Sequence, residues 1–290
     1  MPDTAPAAAG ITSADPGPPR PAQGGVASSR PRLPSAHVVL TCLAVLALAL
    51  FLVPLVGLVA RTPLTRIPEL IVSPAVVQAT RLSVVTSLAA LAISTVLGVP
   101  LAWFFARRDV PFANLLRAIA VLPMVLPPVV GGVALLLAFG RRGLLGGPLE
   151  QVTGVRLPFT TAGAVMAATF VAMPFLVVTV EAGLRQADQR LEDAASTLGA
   201  SRWTIYRRIT LPQIAPSLGA GMALCWARAL GEFGATITFA GNFPGRTQTM
   251  PLAVYLLLES DAQAAYVLSL LLLAISVAVL VLLRGRYLSP

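Results

Sequence analysis

The chain has 290 residues, of which 56% are hydrophobic and 11% charged, and its mean hydropathy is +0.81. A soluble domain of this size could not cover itself with so few polar groups, which excludes a water-soluble globular protein and leaves an all-α, polytopic membrane bundle. All 21 basic residues are arginine; without lysine the chain can hold neither a standard P-loop, whose lysine reaches nucleotide phosphates, nor a lysine Schiff base.

The net charge of +9 would suggest nucleic acid in a soluble protein, but in this composition it is a topology signal and no nucleic-acid partner is expected. Cys42 and Cys225 lie in apolar runs without C-x-x-C spacing and read as buried thiols. Residues 1–35 are rich in Pro, Ala, Gly and Ser and lack apolar periodicity, so they read as a disordered cytosolic tail. A cleaved signal peptide would need an apolar core that these residues do not contain. The first transmembrane helix follows at 36–62. His37, the single histidine, sits at its interfacial end with no partner for a metal or a proton relay.

At about 20 apolar residues per crossing, six spans fall near 38–60, 78–106, 115–139, 160–184, 213–239 and 264–283. Pro54, Pro100, Pro127, Pro128 and Pro174 lie within or at the ends of spans, which predicts a packed, kinked bundle whose neighbouring helices satisfy the freed carbonyls. The run Leu122–Gly132 (LPMVLPPVVGG) marks an irregular start to the third span. Placing the N-terminus inside puts 13 arginines in cytosolic segments and seven outside, with Arg228 within a span, so both termini are expected in the cytosol. Arg107, Arg108, Arg284 and Arg286 then read as charges anchoring cytosolic helix ends.

The longest polar interruption after residue 70 is Leu191–Pro212. Leu191, Ala194, Ala195 and Leu198 fall at i, i+3, i+4 and i+7, one face of a short amphipathic helix. Gly199 stops that helix, Ser201 caps a second one carrying Ile205 and Ile209, and Pro212 marks the entrance to the next apolar run. The product is a wet shelf of two short helices with a small-residue face.

In the fifth span, Gly231, Gly234 and Gly241 allow close helix approach. Arg228 and Glu232 lie four apart, and an unpaired charge at mid-bilayer costs roughly 2.5–3.5 kcal/mol. They either pair with each other or with other helices, or line a wet pathway or gate. The outer loop Gly241–Met250, with Asn242, Pro244, Gly245 and Arg246, is a turn or a contact surface.

Asp193-Ala194-Ala195, three residues, Gly199, nine residues, Ile209, Thr210, Leu211-Pro212 resembles the EAA loop of ABC importer permeases. Asp193 departs from the family's usual Glu by one methylene. The stretch 76–284 resembles the type I importer (MetI-like) permease core, with its coupling loop at 188–212. GEFGAT followed by FAGNFPGRTQTMPLAVY is similar to the matching helix and external loop of molybdate permease subunits, and sulfate permeases share much of that pattern.

The resemblance implies a permease subunit in the bacterial cytoplasmic membrane that imports an oxyanion, molybdate or tungstate, with sulfate or thiosulfate as the alternative. Two copies of the chain would pair around one pathway within the lipid. ABC ATPase subunits, carrying the ATP and magnesium, would grip the coupling loop through Asp193, Ala194, Ala195, Gly199, Ile209, Leu211 and Pro212. An extracytoplasmic binding protein would deliver the anion at Asn242, Pro244, Gly245 and Arg246. Pro127, Pro128, Arg228, Gly231, Glu232 and Gly234 are expected near the pathway or gate. The chain would have no catalytic residues, metal or nucleotide site of its own. Two rivals are weaker. A gradient-driven secondary transporter leaves the EAA pattern without a purpose, and an intramembrane hydrolase lacks a nucleophile–base pair.

Overall fold

The computed structural model describes residues 34–108 and 111–287, with side chains from residue 38 to 279 outside that gap and at 281. Among the described residues there is no strand. The helices are α1 (Pro34–Arg61), α2 (Ile67–Ile71), α3 (Pro74–Arg107), α4 (Ala113–Val125), α5 (Pro128–Phe139), α6 (Gly146–Thr153), α7 (Thr161–Gln186), α8 (Gln189–Thr197), α9 (Arg202–Ile205), α10 (Leu211–Leu230), α11 (Gly234–Phe239), α12 (Met250–Ser260) and α13 (Ala262–Tyr287). The expected tail lies outside the described residues except for its last two, which begin α1. The side chains of His37, Arg284 and Arg286 also lie outside them.

The chain divides at Leu52 into two units. The first contains the start of α1, a run apolar on every side, as lipid contact requires. Cys42, expected to be buried, is exposed on that run, whereas Cys225 is buried in the second unit. A helix surrounded by lipid has no inside in which to hide a thiol.

The second unit is built on α3, α7 and α10. Along α3 the buried positions Ser83, Ser87, Ala90, Ser94 and Gly98 form one stripe of small residues, which lets backbones approach. Ala90, Ala102, Ala172, Leu176, Val180 and Ile214 fill the space among the three helices. Ser87 accepts a hydrogen bond from the Trp226 indole at 2.9 Å. Gly183 of α7 faces Ser217 of α10 so closely that an added Cβ would lie 2.5 Å from the serine Cβ. At the opposite end of α3, Val76 and Ala79 pack with Met250 and Ala253 of α12 and Leu268 of α13.

Among the described residues four helices, α1, α3, α7 and α13, are long and apolar enough to cross a bilayer, and a fifth crossing is made if α4 and α5 count as one. Two of the six spans expected from hydropathy are interrupted. The third is bent by 117° between α4 and α5. Leu126 and Pro127 are both extended, with ψ of 134° and 129°, because each precedes a proline whose ring excludes the helical conformation. The fifth divides into α10 and α11 at Gly231–Phe233. Pro54, Pro100 and Pro174 stay inside α1, α3 and α7.

The two interrupted spans pack on each other. A Cβ on Gly132 of α5 would lie 2.7 Å from Thr238 Cβ and 2.9 Å from the Ala235 carbonyl oxygen, and one on Gly234 would lie 2.8 Å from Pro128 Cβ. Gly234 is thus a close-approach glycine, as expected. Gly231 is not, since its nearest neighbour stands at 3.6 Å; Gly241 instead serves a turn at φ +77°. Replacing Gly132 by Leu should destabilise the second unit by about 1–3 kcal/mol through overpacking, measured by thermal unfolding in detergent. Gly57→Leu, with open space around it, should leave the transition within error of the parent.

Candidate functional site

The shelf forms from local chemistry. Asp188 caps α8 by accepting from the Arg190 N–H at 3.0 Å. Gly199 ends it at φ +81°, a left-handed conformation that costs most residues a Cβ clash. The Ala200 N–H reaches the Ala195 carbonyl and the Gly199 N–H the Ser196 carbonyl, both at 3.0 Å, which is a Schellman closure. Ser201 then caps α9 by accepting from the Thr204 N–H at 3.2 Å.

Pro212 stands at the start of the next apolar run, as expected, but within continuous helical structure. α9 runs into a π-turn at Tyr206–Thr210 and straight on into α10, with the Leu211 N–H donating to the Tyr206 carbonyl. Pro212 has no N–H to give and its ring would strike the carbonyl four residues back; the widened turn just before it absorbs both problems. Helical structure therefore continues from Arg202 to Leu230.

Glu192 fastens the shelf to the bundle. Its Oε1 accepts from Arg107 Nη2 at the end of α3 at 2.7 Å and from Thr210 Oγ1 within the π-turn at 2.9 Å. The backbone N–H of Asp188 donates to Gln213 of α10 at 2.8 Å. A second network sits at the same end of α3. Glu181 of α7 binds Arg117 of α4 at 2.7 Å and Arg185 at 2.9 Å, while both arginines also donate to the Phe105 carbonyl of α3. Arg107 is thus more than the flanking charge it was taken for in the sequence. Its partner lies 85 positions away, beyond the reach of any local pattern.

With Glu192 and Ala195 turned inward, the apolar stripe of α8 faces outward. Leu191, Ala194 and Leu198 are exposed, Leu198 to 87%, and so is Trp203, stacked on Tyr206 at 5.8 Å. Asp193 and Pro212 are exposed too, while Ile209 and Leu211 are half-buried. The coupling residues expected from sequence therefore occupy one contiguous segment, of which Asp193, Ala194 and Gly199 are open to an external contact.

From Pro212, at the end of the shelf, α10 leads to Arg228 of the second group, a rise of about 24 Å at about 1.5 Å per residue. There Arg228 and Glu232 do pair, with Nη1 and Oε2 at 2.6 Å, a charge contact whose angles fall outside hydrogen-bond geometry. The other carboxylate oxygen accepts from the Ala235 N–H at 2.7 Å and so caps α11. Glu232 is 2% exposed, Arg228 half-buried. Pro128 lies against Gly234, so Pro127, Pro128, Arg228, Gly231, Glu232 and Gly234 gather around the two helix breaks.

The third group lies at the far end of α3 from the shelf, as Gly245 beside Gln78 shows. Its loop is closed by the Phe243 carbonyl, which accepts from the Arg246, Thr247 and Gln248 N–H groups. Phe243 packs edge-on against Phe159 at 6.3 Å. Pro244, Gly245 and Arg246 are exposed at the tip, Asn242 is half-buried, and Thr247, Gln248 and Thr249 are buried.

This arrangement, a broken-helix bundle with an outward-facing ledge, has the fold of ABC importer permeases. The structure matches a subunit of a bacterial ABC transporter that imports the acidic polysaccharide alginate with a TM-score of 0.70 at 16% identity, covering 87% of this chain and 96% of that one. It matches the MetNI methionine ABC transporter, in an inward-facing conformation, with a TM-score of 0.56 at 18% identity, covering 73% and 94%. In sequence the chain is 45% identical over 233 residues to the molybdenum transport system permease protein ModB of Mycobacterium bovis, covering 80% of this chain and 88% of the relative. The Escherichia coli K12 ModB is 41% identical, covering 73% and 93%. A sulfate permease, CysW of Synechococcus elongatus, is 38% identical over 71% and 72%. Residues 98–290 match the model of the binding-protein-dependent transport system inner membrane component. The chain belongs to that family and is a multi-pass transport membrane protein.

Replacing Glu192 by Ala removes a shared acceptor for one charged and one neutral donor and should cost the shelf attachment about 2 kcal/mol. Limited trypsin digestion should then cut faster at Arg190 and Arg202 than in the parent, with the cleavage rate elsewhere unchanged.

Proposed function

We propose that this chain is the permease subunit of an ATP-driven molybdate importer, working as a pair of copies with two ATPase subunits and an extracytoplasmic binding protein. The observation that carries the reading is the 45% identity to a molybdenum permease over most of both chains. The exposed stripe of Leu191, Ala194 and Leu198 supports it, because a ledge of that composition in water requires a partner to cover it. The arginine count supports a cytosolic position for the ledge and for both termini.

In this reading the ATPases bind and hydrolyse ATP with magnesium, and this chain converts their closure into movement. Asp193 and Ala194 seat against the ATPase, the small Ala195 behind them lets the helix lie close to the bundle, and Gly199 makes the turn that keeps the helix short. Movement of the shelf passes into α7 and α10, which enclose it and are locked together where Gly183 meets Ser217. α10 delivers the displacement to Arg228–Glu232 and the crossing of α5 with α11, where the gate opens and closes. The loop tip at Pro244, Gly245 and Arg246, with Asn242 beside it, receives the binding protein. The 38% identity to a sulfate permease keeps sulfate as the second reading.

Uptake of labelled molybdate in cells dependent on this chain should be competed by unlabelled tungstate and resisted by equal sulfate; preferential competition by sulfate would move the assignment to the second reading. Gly199→Val should leave membrane insertion intact and abolish substrate-stimulated ATP hydrolysis in the assembled complex, since a β-branched residue at φ +81° cannot keep the turn. Unchanged turnover would remove the shelf from the coupling path.

A further inference from the structure

The ledge and the end of α3 border a cavity of about 730 Å³, lined by Asp193 of the coupling segment and by the Arg107–Glu192 attachment. Its floor is Val99, Pro100 and Trp103, one to two turns before the end of α3, about 6–12 Å inside the helix terminus. Val96 and Leu97, next along the same helix towards its middle, are exposed. Its walls carry Arg107, Arg108 and Arg202 together with Trp203 and Tyr206. Arg108 lies over the Trp103 ring at 5.6 Å from the centroid. Glu192 also lines the cavity, but Arg107 and Thr210 engage it; Asp193 leaves one acidic group opposite Arg108 and Arg202.

One donor in this wall has no acceptor. The Arg107 side chain is 10% exposed, and while its Nη2 binds Glu192, its buried Nε has no hydrogen-bond partner. A buried guanidinium N–H without an acceptor is costly, and the planar fork of arginine suits a phosphate oxygen. Tryptophan and tyrosine beside arginine, at the depth where headgroup meets acyl chain, are the chemistry of a lipid interface rather than of a purely aqueous pocket.

We propose that this cavity binds the phosphate of an anionic phospholipid, its acyl chains lying along Val96, Leu97 and Val99, and that the lipid joins α3 to the ledge alongside the Arg107–Glu192 pair. Arg107 and Arg108 hold the phosphate from the α3 side and Arg202 from the α9 side. Placing this site in the cytosolic leaflet rests on the orientation proposed above.

The test uses the full importer complex in nanodiscs of phosphatidylcholine doped with acyl-brominated phosphatidylglycerol or, separately, acyl-brominated phosphatidylcholine. Tryptophan quenching reports occupancy beside Trp103 and Trp203, and nanodiscs expose both faces, so a wrong orientation does not affect the result. The brominated anionic lipid should be preferred by about fivefold for each of Arg108 and Arg202. Arg108→Gln with Arg202→Gln, both exposed positions, should lower the ratio about 25-fold and leave only the part that Arg107 holds. Equal quenching of the parent by the two lipids, or a preference that both substitutions leave unchanged, overturns the proposal. So does reversal of the preference by soluble inorganic phosphate, which would make the occupant a free anion, or its absence in the complex but presence in the isolated chain, which would make the occupant the ATPase.

Discussion

The structure depends on a single carboxylate that serves two helices. Glu192 takes hydrogen bonds from the end of α3 and from the π-turn that leads into α10, and without it the ledge would hang from the bundle by its two chain connections and the Gln213 contact. Its placement follows from solvent. The ends of α3 and α10 present a guanidinium and a hydroxyl, so the inner side of α8 must be polar, and the apolar stripe is left to point away. This reverses the usual relation between an amphipathic helix and its own core.

The second constraint comes from the bilayer. Non-helical backbone at membrane depth survives only where protein covers it, and the two broken spans cover one another. The bend at Leu126–Pro127 brings Pro128 onto Gly234, and Gly132 admits Thr238 and Ala235. The Glu232 carboxylate then satisfies an otherwise unbonded N–H at the start of α11 while meeting Arg228. The ion pair is therefore part of how the break is tolerated, and the same atoms that make the break stable are the ones placed to move with α10.

What the sequence made legible was whatever is decided within a few residues. The Ser201 cap, the Gly199 stop and the positions of α3, α7 and α13 all follow from local side-chain chemistry and hydropathy. The division of two spans into helix pairs was only partly legible. Pro127 and Pro128 signal irregularity, yet neither the size of the bend, 117°, nor the crossing with α11 that covers it is written in them. The continuous helix through Pro212 was hidden because a proline after a polar segment normally reads as a start, and the π-turn that accommodates it has no residue signature. Glu192 was passed over beside the motif residue Asp193; its acceptor role requires Arg107, brought near only by folding.

The outward stripe on α8 has a consequence for how the protein is made. A ledge bearing Leu198 almost fully in water, one stretch away from Trp203, is indistinguishable from damaged protein to the chaperones and proteases that survey exposed apolar surface. Without a partner over it, that surface stays open to them.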